Sequence, residues 1–248
     1  MGFGRRFLVV AVALWPLASR AAEPVDVAMV LVTDVSRSID DAEFNLEKTG
    51  YSTAFTSPEV LAAIRGGPNG AIAVSYLEFA SAGEVKQVLD WTVIRDGGSA
   101  QSFADRLTNA PRSFFGRTAI SAGIDAAAQL LADAPLAASR RVIDVCGDGT
   151  NNAGRDVTAA RDDALAAGIV INGLAIINEH PMSWTYAHVQ PPGGLANYYR
   201  ENVTGGPGSF VLEIHEFRAF GDSMIRKLVS EIAGIAPPAG GAVATASR

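Results

Sequence analysis

An acid and two hydroxyls, Asp34, Ser36 and Ser38, stand at alternating positions just past a mostly apolar run from Val25 to Val32. Thr118 lies in a second polar turn, Gly116-Arg117-Thr118. Asp148 lies in a third, Gly147-Asp148-Gly149-Thr150-Asn151-Asn152, after another apolar run. Carboxylate and hydroxyl oxygens are ligands of hard cations, and magnesium uses only one or two carboxylates while keeping several waters. Two aspartates, two serines and a threonine supply that mixture. Taken one at a time, the same residues could cap helices or close turns. The two readings differ in whether the chain brings all five together.

The elements that would do so are legible from periodicity. Val25–Val32 is short, Val-rich and broken once by Asp26, which predicts a largely buried strand. A helix follows from Asp40-Asp41 to Phe55, with Phe44, Lys48, Tyr51 and Phe55 at roughly helical spacing and both aspartates at the positive end of its dipole. After Ser57-Pro58, Glu59–Ile64 reads as a short helix. Ala71–Phe79 and Glu84–Trp91 read as strands, and the short link between them predicts an antiparallel hairpin. Ser99 is the expected N-cap of a helix ending near Leu107. Further on come a helix over Ala119–Ala132, a strand over Arg141–Cys146 and a helix over Asp156–Ala167. Then come a strand over Ile169–Ile177, a short helix near Leu195–Val203, a strand over Phe210–Ile214 and a helix over Glu216–Ala233. Strands alternating with helices predict an α/β fold: a Rossmann-like open sheet, mostly parallel with one antiparallel edge strand, and helices on both faces.

Composition bounds the rest. Apolar residues make up 48% of the 248-residue chain and charged residues 19%, enough apolar material for a sizeable core. Arg5-Arg6, the apolar stretch Phe7–Leu17 and Ser19-Arg20-Ala21 have the layout of a secretory signal peptide over residues 1–21, the alternative being an uncleaved anchor. One domain is expected over 22–234, then a disordered tail over 235–248. Loss of residues 1–21 removes three arginines and no acid, taking the formal net charge from −6 to −9. Such a surface repels nucleic acid and anionic membrane. A soluble protein outside the cytoplasm, or in the periplasm of a host with an outer membrane, is expected. The single cysteine, Cys146, excludes an internal disulfide and reads as a small core residue.

With the elements in order, the resemblance is specific. Asp-x-Ser-x-Ser after the first strand, a distant threonine opening a helix and an aspartate after the fourth strand resemble the von Willebrand factor A family over residues 25 to 234. The signal-peptide layout and the Gly-Gly-Pro-Gly-Ser-Phe segment resemble an uncharacterised bacterial secreted branch of that fold. The resemblance implies a metal-ion-dependent adhesion site, or MIDAS, at Asp34, Ser36, Ser38, Thr118 and Asp148, holding Mg2+ or Mn2+. It further implies an open coordination position for a partner protein's Asp or Glu carboxylate, and no catalysis. The long segment 178–208 departs from the family pattern.

Other chemistries fit less well. A haloacid-dehalogenase-type phosphotransferase would carry Asp-x-Asp, but Ser36 occupies the position of its general acid. Gly147-Asp148-Gly149 begins a dinucleotide fingerprint, yet Asn152 stands where the third glycine belongs. Gly221-Asp222-Ser223 resembles a lipase block but falls inside the last helix. His180, His188 and His215 lack zinc-ligand spacing. Asn202-Val203-Thr204 fits the glycosylation pattern. The aromatics Trp184, Tyr186, Tyr198 and Tyr199 are expected to pack the long segment onto the body. A metal-assisted hydrolase, or a scaffold with a degenerate site, remain the alternatives to a binding module.

Overall fold

A computed structural model describes residues 22–177, 191–215 and 220–235. The signal-peptide expectation, His180, His188, Trp184, Tyr186 and nearly all of the expected tail lie outside them. The central strand β1 (Glu23–Asp34) is apolar on both sides because both sides are covered. Val27, Met29 and Leu31 enter one core, and Ala28, Val30 and Val32 enter the other. Asp26 interrupts the run for a local reason. Its carboxylate accepts from the Asn69 backbone and side-chain nitrogens, both at 2.9 Å, and so fastens the turn that leads into the next strand.

Helix α1 (Asp41–Thr56) begins at a capping box, in which Asp40 accepts from the Glu43 N–H at 2.8 Å and Glu43 accepts from the Asp40 N–H at 2.9 Å. Helix α2 (Pro58–Gly66) is capped by Ser57 and has proline at its start, where the missing N–H costs nothing. Strands β2 (Ile72–Phe79) and β3 (Val85–Ile94) form the expected antiparallel pair. Helix α3 (Gly97–Asn109) is capped by Asp96 rather than Ser99. Asp96 is extended and accepts from the Ser99 N–H at 2.8 Å, while the Ser99 hydroxyl turns back to the Asp96 N–H. That reciprocal pairing satisfies two orphan donors, so the helix starts three residues early, at Gly97.

Helix α4 (Ile120–Asp133) leads to β4 (Leu136–Gly147), which runs further than Arg141–Cys146 because β1 pairs with it from Glu23 onward. Helix α5 (Val157–Ala166), β5 (Val170–Ile176), the short α6 (Leu195–Tyr198) with its π-helical continuation Tyr199–Val203, β6 (Val211–Ile214) and α7 (Phe220–Ala233) complete the order.

The sheet order is β3-β2-β1-β4-β5-β6, parallel throughout except for β3 on its edge. Helices α1, α2, α3 and α7 cover one face; α4, α5 and α6 cover the other. Helix α4 comes close because Gly123 lacks a side chain: a Cβ there would lie 2.8 Å from Val32 Cγ1. The chain leaves β1 toward one edge and resumes at β4 on its other side. This reversal opens a crevice beyond the carboxyl ends of β1 and β4, where ligands of open α/β sheets bind.

Polar groups are also buried on the α1 and α7 side. Lys227 of α7, with no exposed surface, forms ion pairs with Asp144 of β4 and Glu231 of its own helix. Asn172 of β5 donates to Glu231 at 3.1 Å. Helix α7 is therefore tied to the sheet by charge as well as by Met224 and Leu228. Cys146 is buried and free, as expected, with its thiol pushed well up by burial. Ser223 is an ordinary position within α7, accepting from Arg226 at 3.1 Å. Of the aromatics in the long segment, Tyr199 is wholly buried in the second core and Tyr198 is half-buried, so both pack as expected.

Candidate metal centre

All five predicted residues meet at the crevice. Asp34 is the last residue of β1 and fully buried, and its Oδ1 accepts the Ser36 N–H at 2.7 Å, folding the chain back on itself. That turn presents two hydroxyls side by side, Ser36 Oγ and Ser38 Oγ, 3.1 Å apart. Thr118 Oγ1 donates to Ser36 Oγ at 3.1 Å from the loop before α4. Ser38 Oγ donates to Asp148 Oδ1 at 2.9 Å, closing the cluster onto the loop after β4 across 110 residues of sequence. Ser36 and Thr118 are each 1% exposed, while Ser38 is half-buried and gives the cluster its open side.

Neither serine caps α1, and the start of α4 is held from elsewhere. Helix α1 is capped by Asp40, not by Ser36 or Ser38. Helix α4 takes no side-chain cap from Ala119, the residue at its start. Its first turn is served from the loop after β4, where Asn151 Oδ1 accepts the Ser121 N–H at 3.0 Å. Asn152 accepts the Thr118 N–H at 3.0 Å and returns its own N–H to the Thr118 carbonyl at 2.8 Å. The residue that spoils the dinucleotide fingerprint thus holds Thr118 in place.

Three further supports escaped the sequence reading. Arg112, from the loop after α3, donates to the Val35 and Ser36 carbonyls at 2.9 and 2.7 Å and clamps the serine-bearing turn from behind. Gly147 permits the closeness of β4 to the site: a Cβ there would lie 2.9 Å from both Asp34 Cβ and the Tyr199 hydroxyl. That hydroxyl is buried at the start of the π-helical turn and has no hydrogen-bond partner among the described residues. Burial, followed by the nearby charge of Asp34, pushes its pKa well above the ordinary range, so it stays a donor. A hydrophobic-to-hydroxyl choice at position 199 and a lone arginine in a loop carry no local signal. An insertion of π-helix, common near functional sites, is invisible to 3.6-residue periodicity.

Beneath the cluster, Glu47 of α1 is almost wholly buried. Burial pushes its carboxyl up to about 8; Cys146 and Thr33 pull it back, and Asp34 and Asp144 raise it further. The folded state therefore holds a proton between about pH 4.5 and 8 that the unfolded chain has lost. Stability from this group is complete below 4.5 and drains away as pH rises through 8. Glu47→Gln carries a permanent neutral group. In chelator, its stability relative to wild type is expected to improve on the order of 3 kcal/mol between pH 5 and pH 8.5. Urea midpoints that move in parallel across that range would contradict the assignment.

The donor set fits a hard cation. Among the described residues no group of three or more His, Cys, Asp or Glu could hold a metal, so a thiolate- or imidazole-rich centre is not on offer there. His215, the described histidine, pairs with Glu213 at 3.1 Å instead. Two carboxylates and three hydroxyls, held by Arg112, Asn152 and the Asp34 turn, make an oxygen site that does not over-neutralise a divalent ion.

The family described as "Protein of unknown function (DUF1194)" matches residues 24–236. The chain belongs to that family. No curated protein matches it. Solved structures show which fold this chain has. Proximal thread matrix protein 1 from the mussel byssus, in a structure described as having a zinc-occupied MIDAS motif, superposes with a TM-score of 0.60 at 17% identity. That match covers 86% of this chain and 49% of the mussel chain. The pilus adhesin SpaC of Lactobacillus rhamnosus GG aligns at 0.54 and 14% identity, covering 86% and 31% of the two chains. A von Willebrand factor type A protein from Catenulispora acidiphila aligns at 0.56 and 13%, covering 84% and 43%. The chain thus spans about half or less of these neighbours. This member of the family has the von Willebrand factor A fold, as its motif order implied.

Proposed function

We propose that the protein is an extracytoplasmic binding module that takes up a divalent cation, Mg2+ or Mn2+, at Asp34, Ser36, Ser38, Thr118 and Asp148. Through that ion it binds an Asp or Glu carboxylate of a partner protein. The observation that carries this reading is the unbroken run of hydrogen bonds Thr118–Ser36–Ser38–Asp148, made across three loops at the reversal of strand order. When bound, the ion supplies a local positive charge by which an acidic protein can recognise another acid. The chain's own part is to hold five oxygens in place: Arg112 fixes the serine turn, Asn152 fixes Thr118, and burial keeps bulk water from Asp34 and Ser36. The adhesin and the mussel matrix protein among the fold neighbours support the binding role, and the zinc-occupied MIDAS of the latter supports the cation. The donor set itself holds no histidine or other base beyond Asp34 and Asp148, which favours binding over hydrolysis. Among the described residues no helix is long and apolar enough to cross a membrane. The layout of residues 1–21 supports export.

Two variants separate a cation site from a set of caps. Asp40→Ala should cost about 1 kcal/mol with or without magnesium, because it removes the true cap of α1. Ser38→Ala should be nearly silent in chelator and should weaken the stabilisation that magnesium brings. If Ser38→Ala behaves like Asp40→Ala in urea, and calorimetry finds no heat on magnesium or manganese addition, the cation reading is wrong. Partners are sought by pull-down from the extracytoplasmic fraction in magnesium and in chelator. Capture indifferent to chelator would count against a metal-bridged contact.

A further inference from the structure

Beside the oxygen cluster an aromatic ring faces solvent. Phe115 is 62% exposed; Ile235 is the other large hydrophobic residue so exposed among the described residues. Phe115 lies three residues before Thr118, and its ring is held rather than loose: the Arg112 guanidinium carbon sits 4.1 Å from the ring centre. The same guanidinium clamps the Val35 and Ser36 carbonyls, so ring and serine turn share one fixed anchor. With one face against a cation, the ring leaves the rest of its surface for a partner.

Two arginines bracket it. Arg37, between the two serines, and Arg117, beside Thr118, are both exposed. Among the described residues neither has a carboxylate within ion-pair distance, whereas the exposed Arg155 is paired to Asp125 and Asp163. Their loops are joined, the Arg37 N–H donating to the Gly116 carbonyl at 3.1 Å. The Arg117 guanidinium donates to the Asn152 carbonyl at 2.8 Å, which steadies it over the rim. In a chain of formal net charge −6, two exposed arginines without an ion-pair partner among the described residues flank the exposed aromatic, while Asp41 faces Arg112 at 3.5 Å.

We propose that Phe115, Arg37 and Arg117 form a docking surface for an acidic protein segment with a large apolar residue next to, or one removed from, the carboxylate that reaches the cation. The proposal rests on the cation reading above and adds the partner's chemistry. The arginines attract a segment of negative charge and turn away basic ones, while the ring buries the neighbouring apolar side chain. A segment with an acid alone would satisfy the cation and leave the ring in water.

A random peptide display library selected on the full chain in magnesium tests this. Enriched sequences should be net acidic and pair Asp or Glu with Phe, Trp, Leu or Met at that spacing. A synthetic peptide of the enriched sequence should lose about tenfold or more in affinity for Phe115→Ala. It should also lose affinity for the double variant Arg37→Ala/Arg117→Ala, more so at low salt. Calorimetric magnesium binding by Phe115→Ala and by Arg37→Ala alone should match wild type, since neither side chain is a proposed ligand or hydrogen-bonds a residue that holds one; Arg117 braces Asn152 and is left out of this control. Acidic peptides without an apolar neighbour, no enrichment at all, or equal binding by Phe115→Ala while magnesium heat is intact would overturn the docking surface alone. Concentration-dependent self-association abolished by Phe115→Ala would give the surface to a second copy of the chain and overturn it too. Absence of magnesium heat in wild type, or enrichment that survives chelator, would sink the cation reading and this proposal with it.

Discussion

Asp34→Ala is expected to abolish the thermal stabilisation that saturating magnesium brings to the wild-type protein. By mass action, an ion at a hundred times its dissociation constant adds about 2.7 kcal/mol. For a chain of this size that is a rise in Tm of roughly 5–11 °C. Asp34 should carry most of the effect because it is fully buried and is one of only two carboxylates in the donor set. Alanine also removes the acceptor of the Ser36 N–H, so its apo stability should fall as well. Asp34→Asn separates the two consequences: the amide oxygen keeps the Ser36 N–H bond and the shape while the negative charge is lost. Thermal melts of the three proteins in magnesium and in chelator decide the matter. If Asp34→Asn melts like wild type in chelator yet gains the same number of degrees in magnesium, Asp34 is not a ligand.

Lys227→Met is expected to be among the most destabilising single substitutions in the chain, costing about 3–5 kcal/mol at pH 8. The lysine has no exposed surface and lies between Asp144 and Glu231, so its removal leaves buried carboxyl groups without their counter-charge. Burial works to lower the lysine pKa, but the two carboxyl groups outweigh it and hold the ammonium above its ordinary value. Glu231 is raised to about 7 by burial and by Asp144, against the pull of Lys227. Its folded form therefore keeps a proton that the unfolded chain releases near 4.5, and the stability this contributes is lost as pH rises through 7. The penalty of Lys227→Met should accordingly be smaller at pH 5.5, where Glu231 is mostly neutral, than at pH 8. Urea unfolding at both values measures it. A loss below about 1 kcal/mol at both would show that α7 is held by its apolar face alone.

The two results probe different parts of one sheet. Asp34 stands at the carboxyl end of β1, and Lys227 reaches β4 from the helix that covers the opposite side of the same strand pair. The first concerns what the crevice binds. The second concerns what keeps the crevice walls in register. The docking surface proposed around Phe115 concerns neither, which is why Phe115→Ala should weaken a proposed partner while leaving fold and magnesium binding unchanged.

The sequence by itself determined what depends on near neighbours. Alternate residues of Val25–Val32 feed two cores, so the run reads as a strand covered on both faces. Asp-x-Ser-x-Ser makes a turn because Asp34 reaches a backbone N–H only two residues on. Ser57-Pro58 starts a helix by local sterics and capping. Even the one misread cap, Ser99 for Asp96, stayed within a single turn. The five oxygen donors were legible because their types and their order among the elements resemble a known pattern.

Only the tertiary structure decided the rest, because those contacts span tens of residues and obey strand order rather than sequence distance. The reversal between β1 and β4 lets Ser38 meet Asp148. Arg112 reaches back more than seventy residues to clamp the serine turn, and Asn151 and Asn152 secure the start of α4. Tyr199 comes beside Asp34 through a π-helical turn that breaks helical spacing. Burial, which separates an ordinary lysine or glutamate from Lys227 or Glu47, is likewise a property of what surrounds a side chain and not of the residue itself.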